Sequence, residues 1–324
     1  MRSGAAGAGL ARWAGRLGPV AALVAACLFF ALRSDRFLTA DNVSLVLQQV
    51  MVVGALAVGE TLVILTAGVD LSCGAVMALG GVVAAKLATA SGVPAPLAML
   101  AGVGAAAGFG LLNGLLVTAV RLPPFIVTLG TLNVAFALTQ LYSDAQTIND
   151  LPPALTALGA TFPVGGTAVA YGVAVMLALY ALAAFVLRYT AAGRHVYAVG
   201  GAPEAARLSG ISTRRVLLGV YAAAGLCYGV AALLAVARTG AGDPNAGQSE
   251  NLDAITAVVL GGTSLFGGRG AVLGSLVGAL VVGVFRNGLT LMGVSSVYQV
   301  LVTGVLVILA VAVDQLTRRG GGAR

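Results

Sequence analysis

Charge is scarce in this sequence: Asp, Glu, Lys and Arg make up only 9% of its 324 residues, aromatics 6%, and His195 is the single histidine. A soluble domain of this length needs a far more charged surface. With 59% hydrophobic residues gathered in long blocks, the chain carries more apolar surface than one aqueous core can hide. Cysteine is scarce as well. Cys27, Cys73 and Cys227 lie in or beside apolar segments, at a spacing that suits neither a disulfide framework nor a metal site, and read as small buried residues. No Walker-type phosphate loop and no nucleophile with a convincing base is present, so a membrane enzyme finds no support.

What is abundant is glycine, at 46 residues, with a mean hydropathy of +1.00. Small residues let helix backbones approach closely in lipid, whereas a barrel would alternate apolar and polar side chains along each strand. The reading is an all-α integral membrane protein. Apolar blocks near 18–32, 43–66, 71–90, 97–120, 124–141, 167–188, 215–238, 252–266, 270–290 and 296–316 predict about ten spans. The block after Arg2, Arg12 and Arg16 resembles a signal peptide, but a second block follows closely and no clear cleavage site intervenes, so it is read as an uncleaved first span.

The net charge of +7 is spread in short groups beside these blocks, with no continuous basic surface, and argues for membrane orientation rather than a nucleic-acid partner. With the N-terminus in the cytoplasm, the basic residues fall mostly inside, and only Arg33, Arg36, Lys86, Arg238 and Arg286 are left on or near the outer side. Both termini are therefore expected in the cytoplasm. This divides the chain into a cytoplasmic segment 1–17, a transmembrane domain 18–316 with a cytoplasmic loop at 189–214, and a cytoplasmic tail 317–324. Gly104-Ala105 matches Gly278-Ala279 and Asn113-Gly114-Leu115 matches Asn287-Gly288-Leu289, five spans apart, which suggests an inverted five-plus-five repeat. Chance matches compete with it in so Gly-rich a chain.

Polar residues inside the blocks are the first functional candidates. Glu60 is costly in lipid unless it faces the bundle interior or a wet path. Gly68, Asp70, Ser72 and Gly74 form a short polar run between two apolar blocks and predict a structural break, with Asp70 capping the following helix. In PPFIVTLGTLN, Phe125, Thr128, Thr131 and Asn133 offer both hydroxyl or amide groups and an apolar face, which makes them candidates for lining a solute path; ordinary packing is the alternative. Asn113 is a further path candidate, subject to the same alternative, since small polar residues also hold helices together.

The stretch GAPEAARLSGIS at 201–212 is out of character with its apolar surroundings. Pro203 suits a first helical position, Glu204 favours a helix N-terminus, and Gly210 is a natural stop, so a helix of about two turns is expected. So short a helix is marginal in water and forms by docking on something, or it is merely a solvated connector.

Glu204-Ala205-Ala206 followed by Gly210 resembles the cytoplasmic loop by which permeases of ATP-binding-cassette importers engage their ATPase subunits. GETLVILTAGVDLSCGAVMALGG (59–81), PPFIVTLGTL (123–132), GRHVYAVGGAPEAARLSGI (193–211) and LDAITAVVLGGTSLFGGRGAVLGSLVGAL (252–280), followed by NGL at 287–289, resemble the ribose-type, simple-sugar permeases within the branched-chain amino acid/ribose permease superfamily. The resemblance covers nearly the whole chain from about residue 40 onward; Glu60 departs from it, since relatives usually carry an uncharged residue there. It implies a subunit of an importer in the bacterial cytoplasmic membrane, itself without cofactor, working with a second permease subunit, an ATPase subunit that binds ATP and Mg, and an extracytoplasmic solute-binding protein. It implies ATPase coupling for Glu204, Ala205, Ala206 and Gly210. The solute stays open among ribose, xylose, other simple sugars, polyols and autoinducer-2, with a nucleoside permease as the alternative and an ion-coupled secondary transporter a more distant one.

Overall fold

The computed structural model describes residues 4–305 together with 308 and 315, with side chains from residue 18 onward. Helix α1 (Gly4–Arg33) is followed by α2 (Ala40–Leu65), α3 (Cys73–Thr89), α4 (Ala95–Leu115), α5 (Pro124–Ser143) and a one-turn α6 (Pro153–Thr156). A hairpin of β1 (Thr161–Val164) and β2 (Thr167–Ala170) leads into α7 (Tyr171–Tyr189), α8 (Ala191–Gly201), α9 (Pro203–Leu208), α10 (Thr213–Thr239), α11 (Glu250–Leu260) and α12 (Val272–Leu291). A further apolar helix, α13, runs Ser296–Val305. The tail expected at 317–324 and the end of the last block lie outside the described residues.

Each expected block holds a helix. Among the described residues, six helices are long and apolar enough to cross a membrane: α2, α4 with its π-helical extension to Val120, α5, α7, α10 and α12. The apolar stretches Gly18–Arg33, Cys73–Thr89 and Ser296–Val305 are shorter. Helix α11 corrects the expectation of a full span at 252–266: its 11 residues rise only about 16 Å, half of a hydrocarbon layer. The other departure from an all-helical chain is the hairpin. Gly165 and Gly166 both have positive φ, 56° and 85°, the left-handed pair that a two-residue hairpin turn requires.

Helices α2 and α10 form the centre, with 78% and 72% of their most apolar windows buried, against 28% for α4, α5 and α7. The peripheral helices accordingly turn large apolar side chains outward, such as Leu100, Leu141 and Leu182, onto what lipid or another subunit would cover. Because lipid is as apolar as leucine, burial of apolar surface does little to join helices here, and close packing must do it. Gly110 of α4 lies against the Gly225 backbone of α10, and Gly80 of α3 against the Gly102 backbone of α4. Tyr180, Tyr221 and Tyr228 fill the interior around α2 and α10.

Candidate functional sites: a broken helix, a polar cleft and a docking helix

The chain leaves helical geometry between α2 and α3, at residues 66–72. The left-handed residue of this break is Ala67, with φ 61°, rather than a glycine. Gly68 and Gly74 serve close approach instead: a Cβ on Gly68 would sit 2.8 Å from the Tyr221 hydroxyl, and one on Gly74 would enter the backbone of Gly247. Asp70 accepts from the Ser72 N–H at 2.9 Å and the Ser72 hydroxyl at 2.5 Å, so its carboxylate closes the turn that starts α3. The Asn113 amide of α4 donates to the Ser72 oxygen at 3.0 Å, and the Thr128 hydroxyl of α5 donates to the Val69 carbonyl at 3.0 Å.

Glu60 adjoins this break from α2, beside Asp70 and the Cys73 thiol. It is fully buried, with the Asp70 N–H and the Cys73 thiol as its polar neighbours and no well-formed hydrogen bond to either oxygen; Asp70 Oδ2, Asn113 Oδ1 and the Tyr221 and Tyr228 hydroxyls, which lie close to one another, likewise make none of normal geometry. Among the described residues neither carboxylate enters an ion pair. The structure thus brings together Glu60, Asp70, Ser72, Asn113 and Thr128. Thr131 is buried one turn on and donates back to Val127 at 3.1 Å. Phe125 and Asn133 stand apart from this centre: both are exposed, and the Asn133 amide donates to Leu129 of its own helix at 2.9 Å.

A second polar region, which sequence reasoning missed, lies where α10 ends. Gly242 stands against Ala85 and Gly247 against Gly74, so residues 242–247 run alongside α3 over about 16 Å of its length. The chain from 240 to 249 is therefore non-helical backbone lying deep beside a helix. Asn245 holds it to α5 by accepting from the Gln140 amide at 3.0 Å. It lines the smaller of two adjoining cavities, of about 200 and 240 Å³, that share Arg238 and Glu250. In the larger one, Arg286 of α12 donates to Asp253 of α11 at 2.5 Å and to Ser249 at 3.1 Å. In the sequence this region shows only as single charges, Arg238 and Arg286 in apolar blocks among them, which there speak to orientation.

The third region is the short polar helix. Helix α9 starts at Pro203 and ends at Leu208; Gly210 follows with φ 84°. Glu204, Ala205, Arg207 and Leu208 are exposed and Ala206 is buried. Glu204 pairs with Arg207 at 3.0 Å on the surface. Helix α8 ties this region to the bundle. Gly200 lies against the backbones of Leu65 and Gly268, the Gly268 N–H donates to the Leu65 carbonyl at 2.9 Å, and the Tyr197 hydroxyl donates to the Gly270 carbonyl at 3.0 Å. Burial raises the Tyr197 phenol above its ordinary range, which keeps it a donor. The α8–α9 unit thus touches the end of α2, at the break, and the loop between α11 and α12.

The exposed polar helix α9 thus lies at one end of α10, the polar cleft at the other. The family described as "Branched-chain amino acid transport system / permease component" matches residues 42–311. The chain belongs to that family. The permease is 44% identical over 307 residues to the fructose import permease protein FrcC of Rhizobium meliloti, covering 93% of this chain and 85% of that one. It is 40% identical to the ribose import permease protein RbsC of Bacillus subtilis, over 93% and 92% of the two chains. With the xylose transport system permease protein XylH of Escherichia coli it shares 33% identity over 93% and 91%. No solved structure matches it. The ribose-type resemblance drawn from four motifs is thereby shown: this permease is a non-catalytic membrane subunit of an ATP-binding-cassette importer. Among the described residues no cluster of His, Cys, Asp or Glu could hold a metal ion.

Proposed function

We propose that this subunit conveys a simple sugar across the bacterial cytoplasmic membrane, inward, using ATP hydrolysed with Mg on a separate ATPase subunit docked on α9. The relatives' names support a sugar: they import fructose, ribose, allose and xylose. An extracytoplasmic solute-binding protein delivers the solute, and a second permease subunit completes the assembly, because one chain with one docking loop engages only one of two ATPases.

The observation that carries the coupling is the Gly200 contact. A push on α9 passes through α8 to Leu65 and Gly268, hence to the break at 66–72 and to the loop between α11 and α12. Helix α10 leaves the same region at Thr213 and, over 27 residues, reaches Arg238 and the cleft about 40 Å away. Displacing the α9 end thus changes the cleft end through one rigid element.

The reading has ten crossings with both termini in the cytoplasm, where residues 240–249 and α11 cross together. The inverted repeat is supported by Asn113 and Asn287, each buried and each bonded to another part of the bundle, Ser72 and Asn42. Single cysteines at Asp150, Gln248 and Ser212, all at exposed positions, test the topology in intact cells. A membrane-impermeant maleimide should reach 150 and 248 and spare 212. Labelling of 212 would overturn the orientation. Purified complexes should contain two permease chains.

A further inference from the structure

Irregular backbone at membrane depth is tolerated where it is buried in protein or lines a wet cavity. Residues 241–249 do the latter, lining the 200 Å³ cavity that shares Arg238 and Glu250 with its 240 Å³ neighbour. Two side chains that line the 240 Å³ cavity each carry a buried polar atom without a partner, Arg238 Nε and Gln49 Oε1. Buried polar atoms left unpaired cost free energy and mark a place where a partner has been left out.

The geometry points to this cleft as a binding site on the permease itself for a neutral, polyhydroxylated solute of about one sugar ring, held between Arg238, Gln49 and Glu250. This rests on the reading that the chain conveys a sugar. The charge in the cavity balances: Arg238 and Arg286 stand against Glu250 and Asp253. An anion would meet two carboxylates and a cation two guanidinium groups, whereas hydroxyls both donate to carboxylates and accept from arginine and amide N–H. Arg286 and Asp253 are committed to each other at 2.5 Å, which leaves Arg238 and Gln49 to do the recognising. Opposite the polar groups, Val50, Val53, Ala279 and Val282 supply the apolar wall that suits the C–H face of a sugar. Its volume of about 240 Å³ accommodates one small ring, and it continues past Arg238 and Glu250 into the 200 Å³ cavity. The absence of aromatic side chains from the lining makes the site weak, as release into a translocation path demands.

The test is saturation-transfer NMR on the native permease with its ATPase in nanodiscs, without the binding protein, using fructose, ribose and xylose at millimolar concentration and glucose 6-phosphate as the charged probe. At least one sugar should receive saturation from the protein and the phosphate should not. Arg238→Gln should weaken that binding about tenfold, equivalent to about 1.4 kcal/mol, and Gln49→Leu should weaken it as well; either variant suffices if the other does not fold. No binding of any sugar to the native complex, or binding unchanged in a folded variant, overturns the site. Uptake by the assembled importer with its binding protein separates the two readings. Uptake without NMR binding sinks the cleft alone, whereas absence of both for all three sugars sinks the sugar reading.

Discussion

Arg286 of α12 donates to Asp253 of α11 at 2.5 Å, with the Asp253 side chain 5% exposed and that of Arg286 38%. The pair joins the short helix α11 to its neighbour at the bottom of the cleft. Breaking a buried pair costs about 3–5 kcal/mol because one charge is left unpaired. Access of Arg286 to the cleft discounts that figure here, to about 1–3 kcal/mol.

A double-mutant cycle of Asp253→Asn and Arg286→Gln should therefore show coupling. Each single change lowers the melting temperature of the detergent-solubilised permease, and the double variant loses clearly less than the sum of the two. Strict additivity would show that the two side chains are held by α11 and α12 rather than by each other.

Asp70 and Glu60 adjoin each other yet should respond in opposite ways. Asp70 accepts two hydrogen bonds that start α3, so Asp70→Ala orphans the Ser72 N–H and hydroxyl and costs about 1–3 kcal/mol for each buried group left unsatisfied. Glu60 makes no well-formed hydrogen bond. Glu60→Gln keeps its shape and removes an ionisable group that is expensive in lipid, so it should leave stability unchanged or raised. Thermal unfolding of both variants, with yield from the membrane fraction, decides it; a Glu60→Gln chain as unstable as Asp70→Ala would mean that the Glu60 carboxylate has a partner.

How far these features could be read in advance depended on whether they were local. The break at 66–72 and helix α9 were legible because Gly-Val-Asp-Leu-Ser and Pro-Glu-Ala-Ala carry their own turn and cap chemistry within a few residues. The hairpin was not read because Thr167–Ala170 is apolar enough to be absorbed into the next hydrophobic block; the Gly165-Gly166 pair was the signal passed over. On α5 the residue types were right, but which of them face inward could not be read: the helix is apolar all round, and Phe125 and Asn133 turned out exposed while Thr128 and Thr131 are buried. The cleft was illegible for a different reason. It joins Gln49, Arg238, Glu250 and Arg286, from four separate stretches of the chain, and only the fold brings these together.

Close helix approach makes a prediction with an internal control. A Cβ on Gly225 would stand 2.7 Å from the Ala106 carbonyl and 2.9 Å from the Gly110 Cα, so Gly225→Val must push α4 and α10 apart. Gly104→Val, on the exposed face of the same helix α4, meets nothing within 4 Å. The first should abolish accumulation of folded protein and the second should be tolerated, as measured by fluorescence-detected size-exclusion profiles. Similar profiles for both would show that the α4–α10 contact adapts.

The docking role of α9 is separable from stability, because its polar residues contribute little to the latter. Glu204 and Arg207 are exposed, and an exposed pair contributes at most about 1 kcal/mol. Gly210 has open space around it, so a larger side chain there would clash with nothing in the bundle. Its φ of 84°, however, is strained for any β-branched residue, and the turn that carries the chain from α9 into α10 would have to change. Gly210→Val should therefore tilt α9 relative to α8 while leaving the buried helices in place. Glu204→Arg reverses the charge at the helix start, where the backbone dipole favours an acid, and presents a cation to whatever group Glu204 meets on the ATPase. Together the two substitutions should leave membrane insertion and melting temperature near those of the unaltered chain, yet reduce sugar-stimulated ATP hydrolysis by the assembled importer at least tenfold. If hydrolysis and uptake persist at the original rate, α9 is a connector and the contact from Gly200 to Leu65 and Gly268 transmits nothing.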